Sequence, residues 1–108
     1  MAGEVVVFVT CPRQVSEVLA KALVEKRLAA CVNVVAGVKS IYSWKGEMVT
    51  DQEDMLIIKS HKSLWGGLEA SIKALHPYEV PEMICLSIEE GHKPYLDWLN
   101  STVAPISD

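Results

Sequence analysis

The chain has no CxxC pair, no surplus of basic residues, no glycine-rich phosphate loop and no long apolar run. Each gap removes a class of function. The three cysteines, Cys11, Cys31 and Cys85, are odd in number and far apart, which argues against a disulfide framework, a zinc ribbon or a thioredoxin motif. They read as small buried hydrophobes. A formal net charge of -4 leaves no broad electrostatic footprint for nucleic acid or an anionic membrane. No apolar run exceeds five residues, as in Val5 to Val9, against the roughly 20 needed to span a bilayer. Glu4 stands where a signal peptide would begin its apolar region, so the expected compartment is the cytoplasm. Gly66-Gly67 is not followed by the lysine of a P-loop, and Phe8 alone on the first strand is too little aromatic surface for an RNA-stacking sheet.

What is present is a chain of 108 residues, half of them apolar, enough to bury a core as one domain over 1–108. Its core is expected over about 4–103, with a frayed tail at 104–108. The apolar share points to surface buried against a partner.

"EVVVFVT" (Glu4 to Thr10) is β-branched and continuous, the pattern of a strand buried on both faces. Pro12 suits the first turn of a helix. Val15, Val18, Leu19, Ala22 and Leu23 recur with helical period and predict a core-facing stripe ending near Arg27. Cys31 to Trp44 predicts a strand weakened at Ala36-Gly37, where a bulge fits. Lys45 and Gly46 supply a hairpin turn, and the return strand runs from Glu47 to Ser60. At ~3.3 Å per residue these 14-residue arms reach ~46 Å, whereas a globule of this length is about 34 Å across. Unless the bulge bends them back, the arms overrun the monomer, and an identical subunit is the simplest partner for their ends.

Leu64, Leu68, Ile72 and Leu75 predict a second helix, in which Gly66 and Gly67 mark either a late start or a close contact. Pro77 forces His76 out of helical geometry. Met83 to Ile88 alternates as a strand, and a last helix covers about His92 to Val103 with Tyr95, Leu96 and Leu99 inward. The order β-α-β-β-α-β-α predicts an α+β fold. It is a ferredoxin-like split β-α-β sandwich, an antiparallel sheet with helices on one face and an extra C-terminal helix.

That fold hosts many functions, so function must come from side chains. "HPYEVPE" (His76 to Glu82) holds imidazole, phenol and carboxylates between two stiffening prolines; it is either an ordinary tight turn or the wall of a site. Tyr42 and Trp44, two apart, share a sheet face, with Glu53 and Lys59 on the other arm. Lys59 closes an apolar run, so its ammonium either reaches solvent or pairs with a carboxylate such as Glu82. Soft donors exist, but none has a dedicated metal spacing. No base-orienting partner or oxyanion loop accompanies a cysteine, so no enzyme and no organic cofactor are expected.

"KALVEKRLAACVNVV" (Lys21 to Val35), "SIYSWKGE" (Ser40 to Glu47), "LHPYEVPE" (Leu75 to Glu82) and "YLDWL" (Tyr95 to Leu99) together resemble the CutA family of divalent-cation tolerance proteins. The resemblance runs from about Val5 to Val103. It implies a homotrimer whose long hairpins extend the sheets between subunits, like the trimer of the PII signalling proteins. It also implies a cleft at each subunit interface, corresponding here to Cys31, Tyr42, Trp44, Lys59, His76, Tyr78 and Glu82, with Tyr95 and Trp98 beside it. The implied ligand is copper or another divalent metal ion; the alternative is a small anion or metabolite, as in a PII-like regulator. Some bacterial members carry a thiol late in the first strand and a second histidine before the HPY histidine. Here those positions hold Val9 and Leu75. Cys11 is the replacement thiol within reach, so the implied metal ligands are His76, Glu82 and Cys11.

Overall fold

The computed structural model describes residues 3–105; Ile106 to Asp108, the end of the expected frayed tail, lie outside the described residues. Strands β1 (Glu4–Cys11), β2 (Cys31–Trp44), β3 (Glu47–His61) and β4 (Met83–Ser87) alternate with helices α1 (Arg13–Glu25), α2 (Trp65–Leu75) and α3 (Lys93–Thr102). A short 3-10 turn, Lys62–Leu64, leads into α2. The sheet runs β2-β3-β1-β4, antiparallel throughout, which is the order of the ferredoxin-like sandwich.

On one face, Val5, Val7, Val9 and Cys11 of β1 and Leu56 and Ile58 of β3 pack against Leu19 and Leu23 of α1 and Leu68 and Ile72 of α2. Leu99 of α3 builds a smaller cluster with Ala30 and Val103. The other face is uncovered. Val6 and Phe8 are only half-buried there, beside Ile57, Ile84 and Leu86 in register. The continuous run in β1 is therefore buried on one face, not both, because α1 and α2 lie on the same side of the sheet. The stripe on α1 also turns relative to its periodicity: Ser16, Leu19, Ala20 and Leu23 are buried, while Val18 is 62% exposed.

The helix ends follow local chemistry. Arg27 takes φ 59° just past α1, where the Leu28 amide reaches back to Leu23 O at 2.9 Å. Left-handed backbone disfavours arginine, but its guanidinium bonds the carbonyls of Thr102 and Val103 at the end of α3. At the start of α2 the close-contact reading applies to Gly67, where a Cβ would stand 2.9 Å from Leu28 Cδ2, and not to Gly66, which has open space there. Leu75, at the end of that helix, is 39% exposed rather than inward.

The β2–β3 hairpin turns on Lys45 and Gly46, both at positive φ (52° and 80°), as a two-residue turn of matching twist requires. The register slips between Val35 and Val38, where Gly37 sits at φ 75°. The Gly37 amide, freed by this bulge, donates to Asp54 Oδ1 (3.3 Å), and Ser16 Oγ of α1 donates to Asp54 Oδ2 (2.6 Å). One buried carboxylate thus ties the bulge to the helix layer. Beyond it the arms run free of β1, which pairs with β3 only over Asp54 to His61. The bulge does not fold them back, and the chain measures 44 × 25 × 23 Å.

Candidate functional site

Pro77 stops α2 at His76, whose backbone is extended (φ -83°, ψ 131°). This turns the imidazole inward, where it is buried. Nε2 lies 2.8 Å from Thr10 O, and Nδ1 accepts the Tyr78 amide at 3.2 Å. A carbonyl can only accept, so Nε2 carries the hydrogen and Nδ1 is bare: a neutral ring with both nitrogens engaged. His76 clamps the loop to the end of β1.

The clamp sets the next residues. Tyr78 packs against the imidazole with ring centroids 4.7 Å apart and donates its hydroxyl to Glu53 Oε2 at 2.9 Å. Burial, then this bond to Glu53, push the Tyr78 hydroxyl well above its ordinary pKa. Thr10 Oγ1 donates to Glu82 Oε1 at 3.4 Å. On the projecting arm, Tyr42 donates to Asp51, which raises the Tyr42 pKa as well.

Between loop and arm lies a cavity of about 590 Å³. Its lining residues include the aromatics Tyr42, Trp44 and Tyr78 and the acidic Glu53, Glu79 and Glu82. No lysine, arginine or histidine is among its lining residues. Glu53 is only 4% exposed, and its Oε2 accepts from the Tyr78 hydroxyl.

Four of the seven residues implied for the cleft therefore meet: Tyr42, Trp44, Tyr78 and Glu82, with His76 behind them. Cys31 and Lys59 do not join them. They face each other across the β2–β3 ladder, and the Lys59 ammonium bonds Asn33 Oδ1 rather than Glu82. Lys59 is six residues from Glu53 along β3, or ~20 Å. Tyr95 and Trp98 stack loosely at 5.5 Å on α3 and are not among the lining residues of the cavity.

His76, Glu82 and Cys11 are not assembled as a ligand set. Cys11 lies in the core between the sheet and the helices. Burial, helped by Asp54 and Glu53, pushes its thiol up to about 11, away from the thiolate a metal needs. Among the described residues no three His, Cys, Asp or Glu side chains stand ready to hold a metal ion. Sequence reasoning passed over Thr10, Asp51 and Asp54. The signal for the last two is the acidic "TDQED" inside a strand, where Asp is disfavoured unless it has a partner.

Fold and cavity together define a ferredoxin-like α+β protein with an acidic, aromatic cleft between a long hairpin and a proline-stiffened loop. The sequence profile of the CutA1 divalent ion tolerance protein family matches residues 5–102, and this chain belongs to that family. It is 54% identical to a divalent-cation tolerance protein CutA of Thermus thermophilus, over 89% of this chain and 94% of the relative. It is 46% identical to the human Protein CutA over 94% of this chain, and spans 57% of that relative's length. Its fold matches a Thermus thermophilus divalent cation tolerance protein with a TM-score of 0.91 at 51% identity, covering 94% and 99% of the two chains. It also matches a periplasmic divalent cation tolerance protein CutA from Archaeoglobus fulgidus with a TM-score of 0.90 at 34% identity, covering 94% and 99%.

Proposed function

We propose that this chain acts in the response to divalent metal ions as a cytoplasmic homotrimer that binds such ions at an inter-subunit cleft and catalyses no reaction. The observation that carries the cation is the cavity itself: Glu53, Glu79 and Glu82 are among its lining residues, and none of the lining residues of this chain is basic. Carboxylate and hydroxyl oxygens suit hard divalent ions, whereas copper prefers nitrogen and sulfur donors. The ion is therefore of the Mn²⁺ class, held by Glu82 and Glu53, with His76 as the clamp rather than a ligand. The anion-binding alternative draws its cation from a neighbouring subunit's Lys59, since none lines the cavity of a single chain.

The trimer rests on two features. The uncovered sheet face exposes Ile84 and Leu86 by nearly half, which favours burial against further copies. The second group, Cys31 and Lys59, can complete the cleft only from a neighbouring subunit. With both ring nitrogens engaged, His76 offers the cleft no free imidazole. Three free thiols suit a reducing compartment, and cell fractionation decides between this placement and the periplasm named for the Archaeoglobus relative.

Native mass spectrometry of the apo protein titrated with Mn²⁺, Zn²⁺ and Cu²⁺ tests the reading. A trimer taking up three Mn²⁺ or Zn²⁺ ions, lost in Glu82→Gln and retained at reduced affinity in His76→Ala, is expected. A monomer, or a trimer that stays empty, refutes it.

A further inference from the structure

Tyr42 and Trp44 stand on the projecting arm and Tyr78 on the loop, so the cleft exists only if the arm leaves the body of the chain in one direction. β1 pairs with β3 only as far as Asp54, and beyond that point the hairpin has no third strand of this chain beside it. Its direction is therefore set at its root. There two consecutive residues of β3, Glu53 and Asp54, are both buried and take opposite faces of the strand. Glu53 receives the Tyr78 hydroxyl on the loop side. Asp54 lies on the helix side, in register with Cys11, and accepts from the Gly37 amide in the β2 bulge and from Ser16 Oγ on α1. Ser16 is buried as well, so this junction is closed within one subunit and needs nothing from a neighbour.

We propose that Asp54 is the positioning residue of the cleft: by holding the β2 bulge to α1 it fixes the angle at which the hairpin projects. That angle places Tyr42 and Trp44 against the Tyr78 loop. The proposal rests on reading the space between hairpin and loop as the ion-binding cleft. Hydrogen-bond geometry, not charge, is what the position requires. An asparagine there accepts from the Gly37 amide through its oxygen and donates to Ser16 Oγ, whose own hydrogen turns to Arg13 O, 3.2 Å away. Alanine loses both bonds. Leucine fills the space and loses them too, which separates bonding from packing.

Hydrogen exchange read by mass spectrometry over residues 38–52 and 55–61, with MnCl₂ titration of the same full-length samples, tests this. The control is Ser60→Ala, which removes an equally short buried bond, Ser60 Oγ to Leu28 O at 2.6 Å, at the far end of β3. Asp54→Ala and Asp54→Leu are expected to speed exchange over 38–52 about tenfold, while 55–61 changes no more than in the control. Mn²⁺ affinity is expected to fall several-fold in both. Asp54→Asn is expected to match wild type, and Ser16→Ala to fall between. Should Asp54→Ala fail to fold, Ser16→Ala against Ser60→Ala makes the same comparison. Arm exchange in Asp54→Leu like wild type, or raised as much in Ser60→Ala, overturns the proposal. So does an arm as loose in Asp54→Asn as in Asp54→Leu. Where wild type binds Mn²⁺, a loosened arm with unchanged affinity overturns it too. A wild type that binds no Mn²⁺ refutes the metal reading instead, and arm exchange alone then upholds or overturns the role of Asp54.

Discussion

Replacing His76 by alanine separates a clamp from a ligand. In the native fold the ring is 6% exposed and makes two hydrogen bonds, Nε2 to Thr10 O and Nδ1 from the Tyr78 amide. Each contributes about 1 kcal/mol net, and the partners left behind and the void of a missing ring add to that. A loss of about 2–4 kcal/mol is expected in the metal-free protein. With a urea m-value of about 2 kcal/mol/M, the unfolding midpoint falls by about 1–2 M at fixed protein concentration. The loss spreads to the site, because Tyr78 is no longer held with its hydroxyl on Glu53. Affinity for Mn²⁺ therefore drops without any ligand having been removed. A metal ligand behaves in the opposite way: its removal abolishes binding and leaves the metal-free protein as stable or more so. If the His76→Ala midpoint in urea moves by less than about 0.3 M while metal binding disappears, the clamp reading is wrong.

Trp44 is 42% exposed on a single chain, so Trp44→Ala costs an isolated subunit little. A buried aromatic is worth about 3–5 kcal/mol, and sedimentation showing dissociation of the assembly would place Trp44 in the interface. Unchanged sedimentation and melting would count against that placement. Burial pushes the Cys11 thiol from near 9 to about 11, so the unfolded chain loses that proton first as pH rises. Stability should fall between pH 9 and 11, and less so in Cys11→Ala; identical alkaline profiles would sink this. The Asn100 amide holds Glu4 below the usual carboxylate range through a 2.8 Å bond to Oε2. That stability is present above the unfolded pKa and is lost as pH falls through the folded one. Asn100→Leu should therefore flatten the acid side of the stability profile. Gly37→Val forces a β-branched residue into φ 75° and should cost about 1–2 kcal/mol in thermal or urea unfolding.

What the chain's order of residues determined by itself is local. Pro77 after a helical stripe ends α2 at His76, because proline clashes with helical geometry one residue back. Lys45-Gly46 between two β-branched runs makes the hairpin, and Ala36-Gly37 makes the bulge, because glycine tolerates the positive φ both need. The motifs from Lys21 to Leu99 also identify the family. Only the tertiary structure decided which face each side chain meets. Covering one side of the sheet made β1 half-buried and turned the α1 stripe toward Ser16 and Ala20, because burial depends on which neighbours arrive, not on period alone. It turned His76 from a candidate ligand into a clamp, since Thr10 and Tyr78 lie on its two sides. It also took Lys59 to Asn33 and brought Glu53 to Tyr78, pairs 26 and 25 residues apart. Hydrogen bonds between residues so distant in the chain follow from strand register, and register is set by the whole packed sheet.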